Sequence, residues 1–230
     1  MLLTSNGSVN NRLGARGLAM NAANDDAAVP DAEIPGAKPR VRDRIFDTAC
    51  ELFYQHGIRS VGVDAIAAEA GTNKMSFYRS FASKDALVAE YLRERQREFW
   101  EHWDATIAAH PGNPQRQLES LFEAHLLTVK DKACRGCALG NAAVEIADEE
   151  DVLSQLVRHF KQDVRRRLRK MAHELGARDP EGLGDALMLL MDGSYFTRLV
   201  FPGNSGPIAA LMPAVRALIA SQLPAAGARD

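Results

Sequence analysis

The residues best suited to a chemical task lie in a polar stretch between positions 72 and 84, and their types favour DNA recognition. Asparagine and arginine form paired hydrogen bonds with adenine and guanine edges, whereas lysine, tyrosine, serine and threonine suit phosphate oxygens and single base contacts. Acidic residues, which would repel phosphates, are absent from this stretch. With one arginine that precedes the stretch, the predicted DNA-binding residues are Thr72, Asn73, Lys74, Ser76, Tyr78, Arg79, Lys84 and Arg42.

Three short helices and the start of a fourth are predicted to position these residues. Apolar residues recur at helical spacing from position 41, and Gly57 stands where that first helix ends. A compact second helix follows around Ile66. Gly71 then permits a sharp turn into a third helix over about 74–81. Two short helices joined by such a turn predict a helix-turn-helix.

The apolar side chains of the third helix decide which face is left for DNA. We expect Met75, Phe77 and Phe81 to pack against the other helices. Ser83 begins the fourth helix, whose first turn can aim free backbone N–H groups and Lys84 at a phosphate. A solvated helix pair in a bundle also has a polar face. The order of helix, turn, helix and following helix start favours DNA over that alternative.

A set of residues in register across positions 42–92 carries a family resemblance. They are Ala49, Leu52, Phe53, Gly57, Ile66, Ala67, Ala70, Gly71, Tyr78, Phe81 and the run Ser83-Lys84-Asp85-Ala86-Leu87. This pattern resembles the N-terminal DNA-binding domain of the tetracycline-repressor (TetR) family of bacterial transcription regulators. Gly62 departs from it, because the family usually has threonine or serine there. Glycine still caps a helix acceptably, but it has no hydroxyl to touch a phosphate.

The resemblance implies a function and a set of partners. We expect a transcriptional repressor that binds double-stranded DNA at a near-palindromic operator as a homodimer, paired through its last two helices. A small-molecule effector bound in the C-terminal domain would release it. We expect no catalysis, no cofactor and no metal, because no nucleophile, base and orienting acid occur at a meaningful spacing. A helical bundle whose helix-turn-helix is only structural remains an alternative.

The rest of the chain predicts an all-α protein of about nine helices. Residues 39–84 would form the helix-turn-helix domain, and a long fourth helix over about 84–109 would join it to a helical effector-binding and dimerisation domain, 85–224. Residues 1–38 lack aromatic side chains and sustained periodicity, which predicts a disordered tail; 225–230 would be a flexible C-terminus. The basic residues near Arg40 could form an arm that touches DNA, or a solvated linker.

Two functions are predicted for the C-terminal domain. Apolar and small residues of the last two helices would leave a large exposed patch unless a second chain covered them: Leu187, Leu190, Met191, Ser194, Tyr195, Val215 and Leu218. A mostly apolar cavity with few polar groups suits a small organic effector. The candidate ligand-binding residues, each of which could equally be plain core, are Phe99, Trp103, Phe122, His125, Leu126, Asn141, Phe160, Met188, Asp192 and Tyr195.

Cys134 and Cys137 form a single C-x-x-C pair, with Arg135 between them. Such a pair could act as a redox switch or supply half of a zinc site, and an arginine beside a thiol favours its thiolate. A redox- or metal-responsive regulator is therefore a second alternative. Because a zinc site needs more ligands and the second C-x-x-C is absent, an interhelical loop with reduced thiols is the plainer interpretation.

Composition limits the function classes. The 230 residues are 46% hydrophobic and 25% charged with a net charge of −2, which is ordinary for a globular protein and argues against a surface that is basic throughout. DNA binding must then be local. Because no apolar run reaches the roughly 18 residues of a membrane span, we expect a cytoplasmic protein that does not associate with membranes.

Overall fold

The computed structural model describes residues 39–146, 151–201 and 206–223. Within these ranges the chain is all-helical, with nine α-helices and one 3₁₀ turn. The predicted fold class is thereby confirmed. The predicted tail 1–38 and C-terminus 225–230 lie outside the described residues. The helices are α1 Val41–His56, α2 Val63–Glu69, α3 Lys74–Ser80, α4 Lys84–Ala108, α5 Pro114–Lys130, α6 Ala138–Glu145, α7 Val152–Glu174, α8 Pro180–Val200 and α9 Leu211–Gln222, and the 3₁₀ turn is Pro207–Ala210.

Helices α1, α2 and α3 pack around a shared apolar core. Ile45 and Ile66 are fully buried, as is Phe77 of α3. The backbone of Gly57 has φ +89° where α1 ends, and that of Gly71 has φ +63° in the turn before α3. L-residues with side chains adopt such φ values only at a cost, so glycine permits both turns. A helix of two turns such as α3 is held in place by this packing.

The predicted inward position of Met75 is wrong. Its side chain is 68% exposed, whereas Phe77 and Phe81 are buried as predicted. Residues two apart in an α-helix differ by about 200° around its axis, so Met75 and Phe77 cannot share a face. Met75 therefore belongs to the outward surface of α3.

Helix α4 connects the N-terminal helices to the rest of the bundle. Ser83 caps its start, where the hydroxyl accepts a hydrogen bond from the N–H of Ala86 at 3.0 Å. Leu87 and Tyr91, near that end, are buried together with α1 to α3 in one continuous core. Trp103, near the other end, is buried in the C-terminal part. A displacement of α4 would thus reach α1 to α3 directly.

Helices α7 and α8 form an antiparallel pair that is close-packed and ion-paired. Asp185 of α8 accepts hydrogen bonds from both Arg165 and Arg169 of α7, each at 2.7 Å, and two turns further along α8 Asp192 pairs with Lys161 at 2.5 Å. Gly184 lies so close to α7 that an added Cβ would stand 2.7 Å from the backbone nitrogen of Arg169. This pair fixes which side of α8 faces the core.

The predicted exposed patch on the last two helices is wrong in its residues. Leu187 and Val215 are fully buried within the chain, and the other five of the seven are buried or half-buried. Instead, Leu189, Phe196 and Val200 of α8 are 74%, 69% and 54% exposed. Because α8 is apolar on nearly all sides, its sequence does not show which side faces the core.

No helix in the described part of the chain combines the length and apolar character that a membrane span needs.

Candidate nucleic-acid interface

The outward surface of α3, which we call the α3 face, consists of Lys74, Met75, Tyr78 and Arg79. All four side chains are exposed. Arg79 forms no hydrogen bond or ion pair with any residue that the structure describes. A guanidinium on a rigid helix with no protein partner is free to bind two acceptors of a guanine edge at once.

Lys74 has an acidic neighbour that its own segment does not reveal. Its Nζ lies 3.1 Å from Oδ2 of Asp64, in the first turn of α2. The hydrogen bond to that carboxylate raises the pKa of Lys74. The stretch 72–84 has no acid in sequence, yet the folded surface has one within reach. A phosphate must therefore compete with Asp64 for the Lys74 ammonium.

Asn73 caps the start of α3. Its side-chain oxygen accepts a hydrogen bond from the N–H of Ser76 at 2.9 Å. The carbonyl of Ser76 in turn accepts from the Ser80 hydroxyl at 2.9 Å. Thr72 and Ser76 are half-buried. Asn73 thus holds the helix start in this conformation, and its side-chain oxygen is not free for a base.

The last two predicted DNA contacts turn toward the protein. Lys84 Nζ donates to the carbonyl of Ile58 at 2.6 Å and lies 6.0 Å from the centre of the Phe53 ring. Arg42 pairs with Glu90 of α4 at 2.6 Å, and its guanidinium lies 4.7 Å from the centre of the Phe81 ring. These two cations fasten α1 and the following loop to α4, and they do not join the α3 face in this structure.

Four of the ten ligand candidates fall into an aromatic cluster and its surroundings between α4 and α7. The rings of Phe99 and Phe160 meet edge to face with centres 5.0 Å apart, and those of Phe99 and Trp103 lie 5.8 Å apart. Trp100, which the sequence reasoning passed over, contacts Phe160 at 5.6 Å. Asp192 pairs with Lys161, the α7 residue that directly follows Phe160. The aromatic side chains fill their own space, as core residues do.

A second group surrounds His125 on the buried side of α8. The imidazole Nε2 lies 2.6 Å from the Ser194 hydroxyl, which donates to the Met191 carbonyl at 2.7 Å, and the ring meets Tyr195 with centres 4.6 Å apart. Burial lowers the pKa of His125 to about 4. Its ring is therefore neutral at physiological pH and belongs to a satisfied hydrogen-bond network. The other members of the ten are buried Phe122, half-buried Leu126 and Met188, and Asn141, which donates to the Arg135 carbonyl at 2.9 Å.

Two surface cavities lie next to these groups. One, of about 460 Å³, opens between α4 and α7 and is lined by Arg93, Gln96, Val152, Gln155, Leu156 and His159. The other, of about 210 Å³, lies between the loop after α1, the start of α4, the end of α6 and the start of α7. None of the ten ligand candidates lines either cavity. The structure therefore brings most of the candidates into two clusters, and neither of these two cavities is lined by them.

Comparisons with known proteins identify the family. Residues 45–91 match the family model described as bacterial regulatory proteins, tetR family. Over 130 residues, 56% of this chain and 64% of the relative, the chain is 30% identical to the HTH-type transcriptional repressor DhaR of Mycobacterium sp. strain GP1. Over 82 residues it is 29% identical to the HTH-type transcriptional repressor SCO4008 of Streptomyces coelicolor, matching 36% of this chain and 41% of that one. The matches thus span less than two thirds of these relatives' length.

Solved structures extend the likeness over most of the chain. A TetR-family transcriptional regulator of Streptomyces coelicolor, SCO4454, is 26% identical with a TM-score of 0.74, covering 79% of this chain and 95% of that one. A TetR-type regulator of Streptomyces avermitilis, sav143, is also 26% identical with a TM-score of 0.69, covering 80% and 98%. The resemblance to the TetR family of bacterial transcriptional regulators that the sequence predicts is confirmed: residues 45–91 match the family model, and most of the chain has the fold of TetR-family regulators.

Proposed function

We propose that the protein is a repressor that binds a near-palindromic operator as a homodimer and leaves it when a small-molecule effector binds the C-terminal helices. The observation that carries the proposal is the α3 face, where exposed Arg79 has no hydrogen-bond or ion-pair partner among the described residues and lies beside exposed Tyr78. The two relatives named above as transcriptional repressors support repression over activation.

The contacts to DNA divide by chemistry. Arg79 reads a guanine edge, and the apolar Met75 suits the methyl group of a thymine. Lys74, Tyr78 and Thr72 contact phosphates or single base positions. Asn73 and Ser76 act chiefly by holding the start of α3 in place, and a base contact by Asn73 would need its cap to open. Lys84 and Arg42 reach phosphates only after they leave the Ile58 carbonyl and Glu90.

The dimer is proposed to form along one side of α8, which we call the α8 stripe: Leu189, Gly193, Phe196 and Val200. All four residues are exposed and follow one another at intervals of four, three and four, which places them in one row along the helix. Gly193 has open space around the position of an absent Cβ, so a second helix can approach closely there. In the resembled family the last two helices pair across a two-fold axis. A dimer of this kind holds two α3 faces about 34 to 36 Å apart, the spacing of successive major grooves.

The effector is proposed to enter between α4 and α7. The 460 Å³ groove is lined by Gln96 and Leu156, each one helical turn from the aromatic cluster that contains Phe99 and Phe160. An apolar compound that separates these rings would displace α4, whose first turns pack against α1 to α3. The displacement releases DNA only if the compound binds the displaced form better than the DNA-binding form.

Selection from a random pool of duplex DNA tests the proposal. Purified protein is incubated with the pool at physiological salt, and the bound fragments are sequenced. We expect enrichment of a near-palindrome whose half-sites lie about one helical turn apart. The Arg79→Ala variant, run in parallel, should enrich a site with less sequence preference at one symmetric position. If wild type enriches nothing at physiological or lower salt, the α3 face is not a DNA-reading surface and the helix-turn-helix has a structural role.

A further inference from the structure

The loop between α5 and α6, which contains Cys134 and Cys137, is hydrogen-bonded to α1. The hydroxyl of Tyr54, near the end of α1, accepts a hydrogen bond from the N–H of Arg135 at 2.8 Å and donates one to the carbonyl of Gly136 at 3.1 Å. One side chain of the DNA-binding domain thus bonds two of the three peptide groups between the two cysteines. We call this contact the Tyr54 tether.

The neighbourhood of the tether is held from two further directions. At the far end of α6, the Glu145 carboxylate accepts a hydrogen bond from the N–H of Arg59, in the loop after α1, at 2.7 Å. On the other side, Arg198 of α8 donates to the carbonyl of Asp131 at 3.3 Å, just before the cysteine loop. The loop therefore stands between the helix that carries the α8 stripe and the helix that supports α3. A change in its shape reaches the DNA-binding domain without passing through α4.

Both thiols are free and each has its own surroundings. Cys134 is buried, and its thiol lies beside the Tyr54 hydroxyl. Burial raises the pKa of Tyr54 to about 12, so the hydroxyl keeps its proton and can donate to Gly136. Cys137 is half-buried, and its Sγ accepts a hydrogen bond from the N–H of Gly140 at 3.4 Å, in the first turn of α6. Cys137 is therefore the thiol that a reagent from solution meets first.

We propose that Cys134 and Cys137 form a dithiol that hydroperoxides oxidise to a disulfide, and that the disulfide breaks the Tyr54 tether and weakens operator binding. The regulatory consequence rests on the proposed function as a DNA-binding repressor; the disulfide and the loss of the tether do not. A metal site fits less well, because no group of three or more histidine, cysteine, aspartate or glutamate side chains suited to a metal ion occurs among the described residues.

The oxidation balances with one hydroperoxide. The Cys137 thiolate attacks the terminal oxygen of ROOH, the O–O bond breaks, and ROH leaves after it takes up the thiol proton, so Cys137 becomes a sulfenic acid. The Cys134 sulfur then attacks the sulfenic sulfur. The S–O bond breaks, and hydroxide leaves as water with the Cys134 proton. In sum, two thiols and ROOH give one disulfide, ROH and water.

The disulfide is expected to disturb the tether because both sulfur atoms have other neighbours in the reduced protein. A disulfide brings its sulfur atoms to about 2.05 Å. At least one of them must therefore leave its present neighbour, which is the N–H of Gly140 for Cys137 and the Tyr54 hydroxyl for Cys134. The ring that closes contains Arg135 and Gly136, the two residues whose peptide groups hold the Tyr54 hydroxyl. Gly136 has φ +88°, a backbone conformation that residues with side chains rarely adopt, so the loop shape that presents these groups depends on this glycine.

The experiment compares the reduced protein with protein treated with hydrogen peroxide and then freed of it. Peptide mapping detects the disulfide, amide hydrogen exchange at the end of α1 reports the tether, and operator affinity reports function. We expect a Cys134–Cys137 disulfide, faster exchange near Tyr54, and about tenfold weaker operator binding, within the usual range of coupling between sites. Tyr54→Phe should show the faster exchange without oxidation.

Two controls keep the outcomes distinct. Cys50→Ser removes the remaining thiol, whose pKa burial raises to about 12, and should respond to peroxide as wild type does. Cys137→Ser should keep its exchange rates and operator affinity after the same treatment. The proposal is overturned if no disulfide forms, or if it forms and neither exchange nor affinity changes. Failure of the reduced protein to bind any operator counts instead against the proposed function, because the mapping and exchange results do not depend on DNA.

Discussion

The α3 face and the α8 stripe are both exposed rows of side chains on a helix, yet their chemistry is opposite. The α3 face presents Lys74, Tyr78 and Arg79, and Asp64 is the acid that pairs with it among the described residues. The α8 stripe presents Leu189, Phe196 and Val200 without a charge. A polar face suits a charged polymer, whereas an apolar row suits another apolar surface. In the proposed function, this difference assigns the α3 face to DNA and the α8 stripe to a second copy of the chain.

The two surfaces also depend on one another. A single α3 face makes few base contacts, and a near-palindromic site gains its affinity from two faces held at a fixed distance. The α8 stripe, far along the chain, would set that distance. Breaking the stripe should therefore affect DNA binding more than removing any one side chain of the α3 face.

The largest effect is expected from Phe196→Glu. A carboxylate in the middle of the α8 stripe would be desolvated in the dimer without a partner, which costs several kcal/mol. We expect a monomer by sedimentation and a loss of operator affinity of about a hundredfold or more. Val152→Glu, which replaces an exposed valine on α7, is the matched control and should remain dimeric. A dimeric Phe196→Glu protein would show that another surface makes the dimer.

Arg79→Ala removes the one unpaired guanidinium of the α3 face. We expect it to cost about 1 to 3 kcal/mol of operator binding and to relax preference at one base position, because a bidentate contact carries that much discrimination. Fluorescence anisotropy with the selected operator and its single-base variants measures both. Arg166→Ala removes an exposed arginine of α7 paired with Asp163, and it should change neither. Uniform weakening on all sequences would reassign Arg79 to phosphate contact.

His125 contacts Ser194 on the buried side of α8, away from the exposed α8 stripe. Its protonation should make the free energy of unfolding depend on pH. Burial lowers the pKa of His125 to about 4 in the folded protein. Between pH 6.5 and 4 the unfolded chain therefore binds a proton at this residue that the folded chain does not bind. The stabilising contribution is complete above about pH 6.5 and is lost as pH falls, by about 2 kcal/mol between pH 7 and 5.

Urea unfolding of wild type and His125→Gln at the two pH values tests this. The variant should lose about 2 kcal/mol less than wild type on the same change of pH. His173→Gln, at an exposed position near the end of α7, should keep the wild-type dependence. Equal losses in wild type and His125→Gln would mean that His125 is protonated in the fold.

The smallest effect is expected from Asp64→Asn, which removes the carboxylate that pairs with Lys74 of the α3 face. Asp64→Asn frees Lys74 from an exposed ion pair that solvent screens strongly, and it removes a negative charge near the phosphates. Operator affinity should rise a few-fold, with a steeper dependence on salt. Glu69→Gln removes the same charge from the other end of α2 and should raise affinity less. A decrease in affinity with Asp64→Asn would mean that the pair orients Lys74 for DNA.

The sequence predicts features that depend on neighbouring residues better than features that depend on residues far apart in the chain. Gly57 and Phe77 were predicted correctly because helix period and helix ends are local. Met75 was placed on the wrong side because residue type was weighed above its angle around α3. The Lys74–Asp64 pair and the Tyr54 tether join residues 10 and about 80 positions apart, and no local pattern encodes them.

The C-terminal helices were harder to predict for a physical reason. Helix α8 is apolar on nearly all sides, so periodicity does not tell its core side from its outer side. Its packing against α7 decides the matter, and that packing depends on the Asp185 ion pairs and on the close approach at Gly184. The ten ligand candidates were drawn from the same ambiguous apolar pattern, which cannot separate core from pocket.

In the proposed function, one dimer presents two α3 faces to two half-sites at a fixed spacing. The most direct measurement compares affinity for the selected operator with affinity for the same operator carrying about five additional base pairs between its half-sites, half a helical turn. We predict that the insertion lowers affinity to that of a single half-site, because the second half-site then faces away from the dimer. Equal affinity for the two duplexes would contradict the claim.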